Sequence, residues 1–570
     1  MNTPEMKQFT DLPYTRPDME ALKTAFKKAE RQFEAAHSAA EQIALIDEVQ
    51  KLKSHYQTMQ TLAEIRHSID TRDGFYDAEN TFFDESNPFY IEMTNSFNKK
   101  LLASSFRQEL EKELGTHIFA MTELDMKVFS PSIMEDLAEE NKLTSSYDKL
   151  IASAEIEFAG EKRTLAQLTP FMQDQDRATR KKAAKAYYGF FAGHEAEFDS
   201  IYDNLVKVRT RIAKKLGYKN FVQLGYDRMG RTDYNAEMVA AYRNQIYRDI
   251  VPIAVNLRKR QAKRLGLERL YYYDEPLEYT TGNAIPHGNP DWILANAKKM
   301  YAELSPETDE FFTFMTSHQM LDVLAKKGKA AGGYCTTIPD YKAPFIFANF
   351  NNTQHDVEVM THEAGHAFQA YQSRNARLLE YVWPTYEACE IHSMSMEFFT
   401  WPWMNLFFEE QTDKFRFTHL SGALLFLPYG VTVDEFQHWV YEHPEASPAE
   451  RKAAWRSIEK KYLPERNYDD NDFLNRGGYW MRQGHIFSTP FYYIDYTLAQ
   501  VCALQFWAKS LSNREMAWAD YLRLCKAGGR DSFLKLVELA NLKNPFKDGC
   551  IASVVPACTK WLNNINDTIL

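Results

Sequence analysis

Cysteine is scarce in this chain. Six residues (335, 389, 502, 525, 550 and 558) lie scattered, with no CxxC pair. That excludes a disulfide framework and makes a reducing cytoplasm the expected address. Glycine (23) and proline (22) are also sparse, which excludes collagen-like and Pro/Gly-rich low-complexity sequence. No apolar run approaches the roughly 20 residues a membrane span needs; the longest candidate, Ala423–Leu427, runs into Pro428. The opening residues Met1–Lys7 lack the basic-then-apolar pattern of a signal peptide. Positive charge is not in surplus: Lys plus Arg is 67 against 78 Asp plus Glu, a net charge of −11. The resulting pI near 5.8 argues against a nucleic-acid partner recruited by a positive field.

What remains is a large globular chain. Its 570 residues carry 45% apolar and 25% charged side chains, enough for several domains' worth of core. Aromatics reach 14%, with 32 Tyr and 38 Phe, which suits a large core or an aromatic-lined cleft. From Met19 to about Ser68 the pattern is helical, with Leu22, Phe26, Ala29 and Phe33 forming one apolar stripe. Further helices are expected over Ser96–Leu114, from Asp174 to about Lys215, and over Ala236–Leu265. The stretch Glu155–Leu165 reads as a short hairpin. Around Lys327–Asn351, Gly332-Gly333-Tyr334-Cys335 and Ala343–Asn349 read as loop and short strands. The expected fold is therefore mainly α, with a small β-sheet just ahead of the most informative motif. The coarse division is an N-terminal helical region over 1–165 and a second region over 166–570 that holds this motif.

That motif is His362-Glu363-Ala364-Gly365-His366, an HExxH on an expected helix. Residues four apart share a helix face, so both imidazoles can reach one metal ion. Glu363 can act as general base toward water at that metal. Chance alone supplies about 0.03 such motifs in a chain of this composition. Asn351, Asn352, Thr353 and Asp356 offer caps and first-turn acids for the helix. Gly365 costs about 1 kcal/mol against Ala inside a helix, which suggests close packing there.

A catalytic zinc site takes three protein ligands and keeps one position open. Downstream, Tyr386–Phe399 reads as a second helix, and Glu387, Glu390 and Glu397 share a face by i+3 and i+7 spacing. Spacing alone does not choose among them. A second cluster follows at Gly477–His485 and Pro490–Ala499, where Tyr493 and Tyr496 stand three apart. His355, His392, Cys335 and Cys389 read as surface or core residues rather than ligands.

The run His362–His366 followed by Glu390-Ile391-His392-Ser393-Met394-Ser395-Met396-Glu397 resembles the oligoendopeptidase F and thimet oligopeptidase family of zinc metallopeptidases. The resemblance implies two helical lobes, interleaved along the chain, around a deep cleft that admits oligopeptides. It implies one Zn²⁺ per chain, with His362, His366 and Glu390 as ligands and Glu397 behind them. It assigns Glu363 as general base, and His485, Tyr493 and Tyr496 to the oxyanion that forms during peptide hydrolysis. Gly333 and Tyr334, with the strand near Phe347–Asn349, become candidates for pairing with the substrate backbone. The expected protein is a cytoplasmic oligoendopeptidase with neither membrane nor nucleic-acid partners. Two other readings stand beside it: a helical HExxH carboxypeptidase, with Arg482 as candidate anchor for the substrate's terminal carboxylate, and a non-catalytic peptide-binding scaffold.

Overall fold

The computed structural model describes residues 7–351 and 353–570. The opening residues 1–6 and the candidate cap Asn352 lie outside the described residues. The fold is mainly α, with one two-stranded and one three-stranded sheet among the described residues. The chain divides into two compact units. The first takes the chain up to Met126, then Ile285–Glu409 and Lys509–Leu542; the second takes Lys127–Ala284, Glu410–Ala508 and Lys543–Leu570. Residue 165 therefore falls inside the second unit.

Three long helices open the first unit. Asp18 caps Met19–Ala35 by accepting from the Glu20 and Ala21 amides, and Ser38 caps Ala39–Ile69. The expected helical stretch is thus two helices, divided where Ser38 restarts the chain. The third, Gly74–Leu102, is capped by Asp73 and carries Pro88 inside it. It begins well before the expected Ser96, and Arg107–Leu114 follows as a separate helix. Pro88 forfeits one backbone hydrogen bond, and burial of Phe83, Tyr90 and Phe97 offsets that loss. These helices enclose a core of Phe26, Phe33, Tyr56, Phe83, Tyr90 and Phe97, with Tyr56 stacked on Tyr90 at 4.1 Å.

The hairpin falls where expected, in the second unit: β1 (Ile156–Phe158) pairs antiparallel with β2 (Glu161–Arg163). Ala159 and Gly160 both have positive φ, which a two-residue turn of matching twist requires. The helix expected over Ala236–Leu265 is two, Ala236–Asp249 and Val251–Arg264, because Pro252 cannot donate into a continuous ladder. Pro428 does not end its helix: Thr412–Glu442 runs through it. Among the described residues no helix is long and apolar enough to cross a membrane.

The three-stranded sheet of the first unit sets the stage for the motif. Its order is β3 (Leu321–Leu324), β5 (Ala343–Phe350), β4 (Tyr334–Ile338), with β3 parallel and β4 antiparallel to β5. β3 went unanticipated, since four residues carry too little periodicity. β5 is buried over most of its length and leads directly into the HExxH helix, Gln354–Ser373.

Candidate metal centre

The HExxH helix begins without a side-chain cap from Thr353. Instead, the buried carboxylate of Asp356 in its first turn accepts from the Asn351 amide at 2.9 and 3.1 Å. An acid at that end also suits the helix dipole. The second helix, Tyr386–Phe399, packs directly against it. Gly365 is the reason they can approach. A Cβ there would stand 2.6 Å from Ser393 Cα and 2.7 Å from the His392 carbonyl oxygen. Any larger residue would push the two helices apart.

That close approach gathers the donors. Nε2 of His362 lies 3.3 Å, and Nε2 of His366 3.6 Å, from Oε2 of Glu390. All three atoms sit within 4.8 Å of one another, and the two rings meet edge to face at 5.0 Å. Ser393 Oγ donates to the same Glu390 oxygen at 3.0 Å and steadies the carboxylate. Glu397 takes the far side of His362, its Oε1 2.7 Å from Nδ1. A carboxylate on Nδ1 fixes the tautomer that leaves Nε2 free to ligate. Of the three candidate glutamates, Glu390 groups with the imidazoles, Glu397 holds one of them, and Glu387 is buried a turn earlier.

The electrostatics follow from burial and crowding. Burial favours the neutral Glu390, yet the neighbouring imidazoles of His366 and His362 outweigh it and hold the carboxyl near 2. Burial likewise opposes a charge on His362, but Glu390 and Glu397 raise it well above the usual range. His366 goes the other way, pushed down to about 4 chiefly by burial. Its Nδ1 is buried without a hydrogen bond of good geometry. Glu363 is 9% exposed, and no hydrogen bond to it is found among the described residues. Burial first, then Glu390 and Glu397, push it up to about 7. Two imidazoles and one carboxylate oxygen within reach of one another, with the Glu363 carboxylate alongside, are a donor set that suits a divalent transition metal such as zinc.

Gly333 immediately precedes β4, and Tyr334 is its first residue. A Cβ on Gly333 would stand 3.3 Å from the Phe347 carbonyl oxygen and 3.8 Å from Oε1 of Glu363, so its backbone borders Glu363. The Tyr334 ring stacks on Phe347 at 4.9 Å instead. Cys335 and Cys389 are half-buried thiols, both raised well above their usual range by burial. His392 is fully buried beneath Tyr521, and His355 is exposed beside Glu358.

His485, Tyr493 and Tyr496 come together in the second unit. The His485 ring lies 5.1 Å from that of Tyr493 and 5.7 Å from that of Tyr496, with His485 Nε2 3.5 Å from Tyr496 Oη. Sequence reasoning missed their support. Tyr429 Oη donates to Gln483 Oε1 at 2.8 Å, which turns the Gln483 amide so that its Nε2 donates to His485 Nδ1, also at 2.8 Å. That leaves the His485 proton on Nε2, toward Tyr496. Gln483 sits two residues from His485 and could have been noticed; Tyr429, 54 residues away from Gln483, could not.

Comparison with known proteins gives the chain's family. Residues 9–129 match the peptidase M3 N-terminal domain and residues 307–555 match peptidase family M3. The chain belongs to peptidase family M3 and is a peptidase of the oligoendopeptidase F kind. It is similar in structure to PZ peptidase A solved with an inhibitor: 57% identity, 98% of this chain and all of that one, TM-score 0.93. A candidate oligoendopeptidase F from Bacillus anthracis str. Ames is also 57% identical, over 99% of each chain, with TM-score 0.89. The oligoendopeptidase F homolog of Borreliella burgdorferi is 23% identical over 411 residues, 69% of this chain and 67% of that one.

Proposed function

We propose that this peptidase is a zinc-dependent oligoendopeptidase that cuts internal bonds of short peptides in the cytoplasm. The observation that carries the reading is the grouping of His362, His366 and Glu390 donor atoms within 4.8 Å of one another, beside the nearly buried Glu363. Those three residues would hold one zinc ion per chain, and Glu397 would orient His362 through Nδ1. Zinc at such a site supplies an acidified water and a polarised substrate carbonyl.

The chain's own residues supply the rest. Glu363 takes a proton from the attacking water and returns it to the departing amide nitrogen. Its low exposure suits a base, since a carboxylate stripped of water binds a proton more readily. The backbone at Gly333, with β4 at the edge of the sheet, pairs with an extended peptide; Tyr334 secures that strand through Phe347. By the family resemblance, His485, Tyr493 and Tyr496 donate to the oxyanion. The cluster's support from Gln483 and Tyr429 fits a donor that must be held in place.

The test is hydrolysis of an internally quenched peptide of about ten residues, blocked at both ends, before and after chelation and zinc return. Cleavage that chelation abolishes, zinc restores and Glu363→Gln lacks is the expected result. Trimming of free C-termini without cleavage of blocked peptides would replace this reading with a carboxypeptidase. No cleavage of either, with peptide still bound, would replace it with a binding scaffold.

A further inference from the structure

The chain between β3 and β4, residues 325–333, has no helix or strand of its own and carries glycine at 328, 332 and 333. Such a stretch is expected to move. Instead it is tied down almost residue by residue, all within the first unit. The Gly328 carbonyl accepts from the amide and the hydroxyl of Thr71, both at 2.8 Å, and the Ala330 amide donates to the Ser68 carbonyl at 2.8 Å. From β5, Asn349 Nδ2 donates to the carbonyls of Ala330 and Gly332 at 2.9 and 2.8 Å.

Lys329 makes the remaining tie, and its side chain has no exposed surface. The register of β3 against β5 breaks between Asp322 and Leu324. A bulge of that kind disrupts the ladder locally. Lys329 Nζ sits at the break. It donates to the Asp322 and Leu324 carbonyls, each at 3.0 Å, and to the Ala348 carbonyl at 2.6 Å. The Asp322 carboxylate, 2.5 Å away, supplies the opposite charge. The same ammonium lies 4.5 Å from the centre of the Phe347 ring, on which Tyr334 stacks. A connection that only had to join two strands of one sheet would not need a buried ammonium, because taking a charge out of water is costly.

The ties end where the backbone meets Glu363. Gly332 stands at φ +91°, and Gly333 follows it beside the Glu363 carboxylate. β4 then begins at the edge of the sheet. The Ile346 amide donates to the Met320 carbonyl, on the β3 side of β5. Its cross-strand partner is Cys335, so Cys335 and, two residues on, Thr337 turn their backbone groups away from β5, to the outer edge. Lys329 and Asn349 thus fix the point from which that edge starts.

We infer that Lys329 is a positioning residue for peptide binding: seated at the bulge, it holds Gly333 and the outer edge of β4 beside Glu363, so that an extended peptide meets backbone donors and acceptors already in place. Asn349 is the second tie of the same device. The inference rests on the strand-pairing reading given above and adds the groups that set that strand.

The experiment uses zinc-loaded full-length protein. Lys329→Met also strands Asp322, so Asn349→Leu, which removes two neutral hydrogen bonds only, is run beside it. In hydrolysis of the quenched peptide, KM is expected to rise about tenfold in each variant, since binding now has to order the backbone. The kcat should stay within about twofold, because the ordered complex is the same once formed. Anisotropy of a labelled peptide, with Glu363→Gln added to parent and variants, should show Kd rising by the same factor. Hydrogen exchange before peptide is added should quicken over 330–338 and stay unchanged over the HExxH helix. Unchanged KM and Kd in both variants overturn the inference, and so does a fall in kcat at unchanged KM. Faster exchange over the HExxH helix as well would reduce Lys329 to a general structural role and overturn it too. If the unsubstituted enzyme cleaves nothing, the endopeptidase reading fails alone and the Kd comparison still decides the inference; if it binds no peptide, both fail.

Discussion

Two buried charge clusters, one in each unit, are built on opposite principles. In the second unit the guanidinium of Arg209 is fully buried. It is matched by Glu140 at 2.6 Å, by Tyr441 Oη at 2.9 Å and by the Phe487 carbonyl. Arg228 shares Glu140, while Arg177 and Arg180 share the buried Asp274. In the first unit Glu390 and Glu397 lean on imidazoles, and Glu363 takes no hydrogen bond among the described residues. The arginine cluster answers its charge from within the chain. The glutamate–histidine cluster gathers more carboxylate than fixed positive charge, which is the arrangement a cation completes. A buried ion cluster is thus no mark of a site in itself; the balance of fixed charge within it is.

That contrast can be broken at several points. The largest effect is expected from Glu363→Gln, which removes the base and leaves the three donors. Turnover should fall by about 10²–10⁴-fold while metal analysis finds the zinc still bound. Loss of metal along with activity would mean that Glu363 belongs to the holding set. Next is Arg209→Met, which strands Glu140 without its closest partner. Unfolding should come about 3–5 kcal/mol sooner in a denaturant titration, with metal content unchanged. A loss below about 1 kcal/mol would show that Arg228 alone neutralises Glu140. Glu397→Gln should weaken zinc by about 10–100-fold in a competition with chelator and leave the metal-free melting point nearly unmoved.

The smallest effect is a matter of pH. Burial opposes ionisation of Asp434, but His438 and Arg243 prevail and hold its carboxyl near 2, below the ordinary 3.8. A depressed acid stabilises the fold fully above its unfolded value and loses that contribution as pH falls toward the folded one. The loss attributable to Asp434 at pH 3 should be about 1 kcal/mol, read as the difference in urea midpoints between the unsubstituted protein and Asp434→Asn. A difference that does not shrink between pH 5 and pH 3 would contradict the matched-cluster account.

The sequence made the HExxH helix legible because its pattern is local. His362, Glu363 and His366 lie within one turn, and Gly365 announced the close contact with the next helix that its missing Cβ now explains. Spacing could not separate Glu390 from Glu387 and Glu397, since all three share a face; family resemblance did. The hairpin was legible from Ala159-Gly160, a turn written in two adjacent residues. Helix limits were less so: Pro88 and Pro428 lie inside helices that tertiary packing carries through, while Pro252 separates two. The Tyr429–Gln483–His485 chain and the pairing of β3 with β5 depend on residues far apart in sequence. No local pattern encodes them.

The division of the chain has a consequence for biosynthesis. The HExxH helix packs Phe368 against Trp518 and Tyr521, and Tyr521 Oη donates to the His392 carbonyl on the neighbouring helix. Those supports belong to the 509–542 segment of the first unit, more than 140 residues after the motif they back. The second unit waits for 543–570. On a ribosome, then, His362, His366 and Glu390 emerge long before the scaffold that backs them. The first unit cannot finish folding until 509–542 have been made, so the candidate metal centre gains its backing only after most of the second unit has been synthesised.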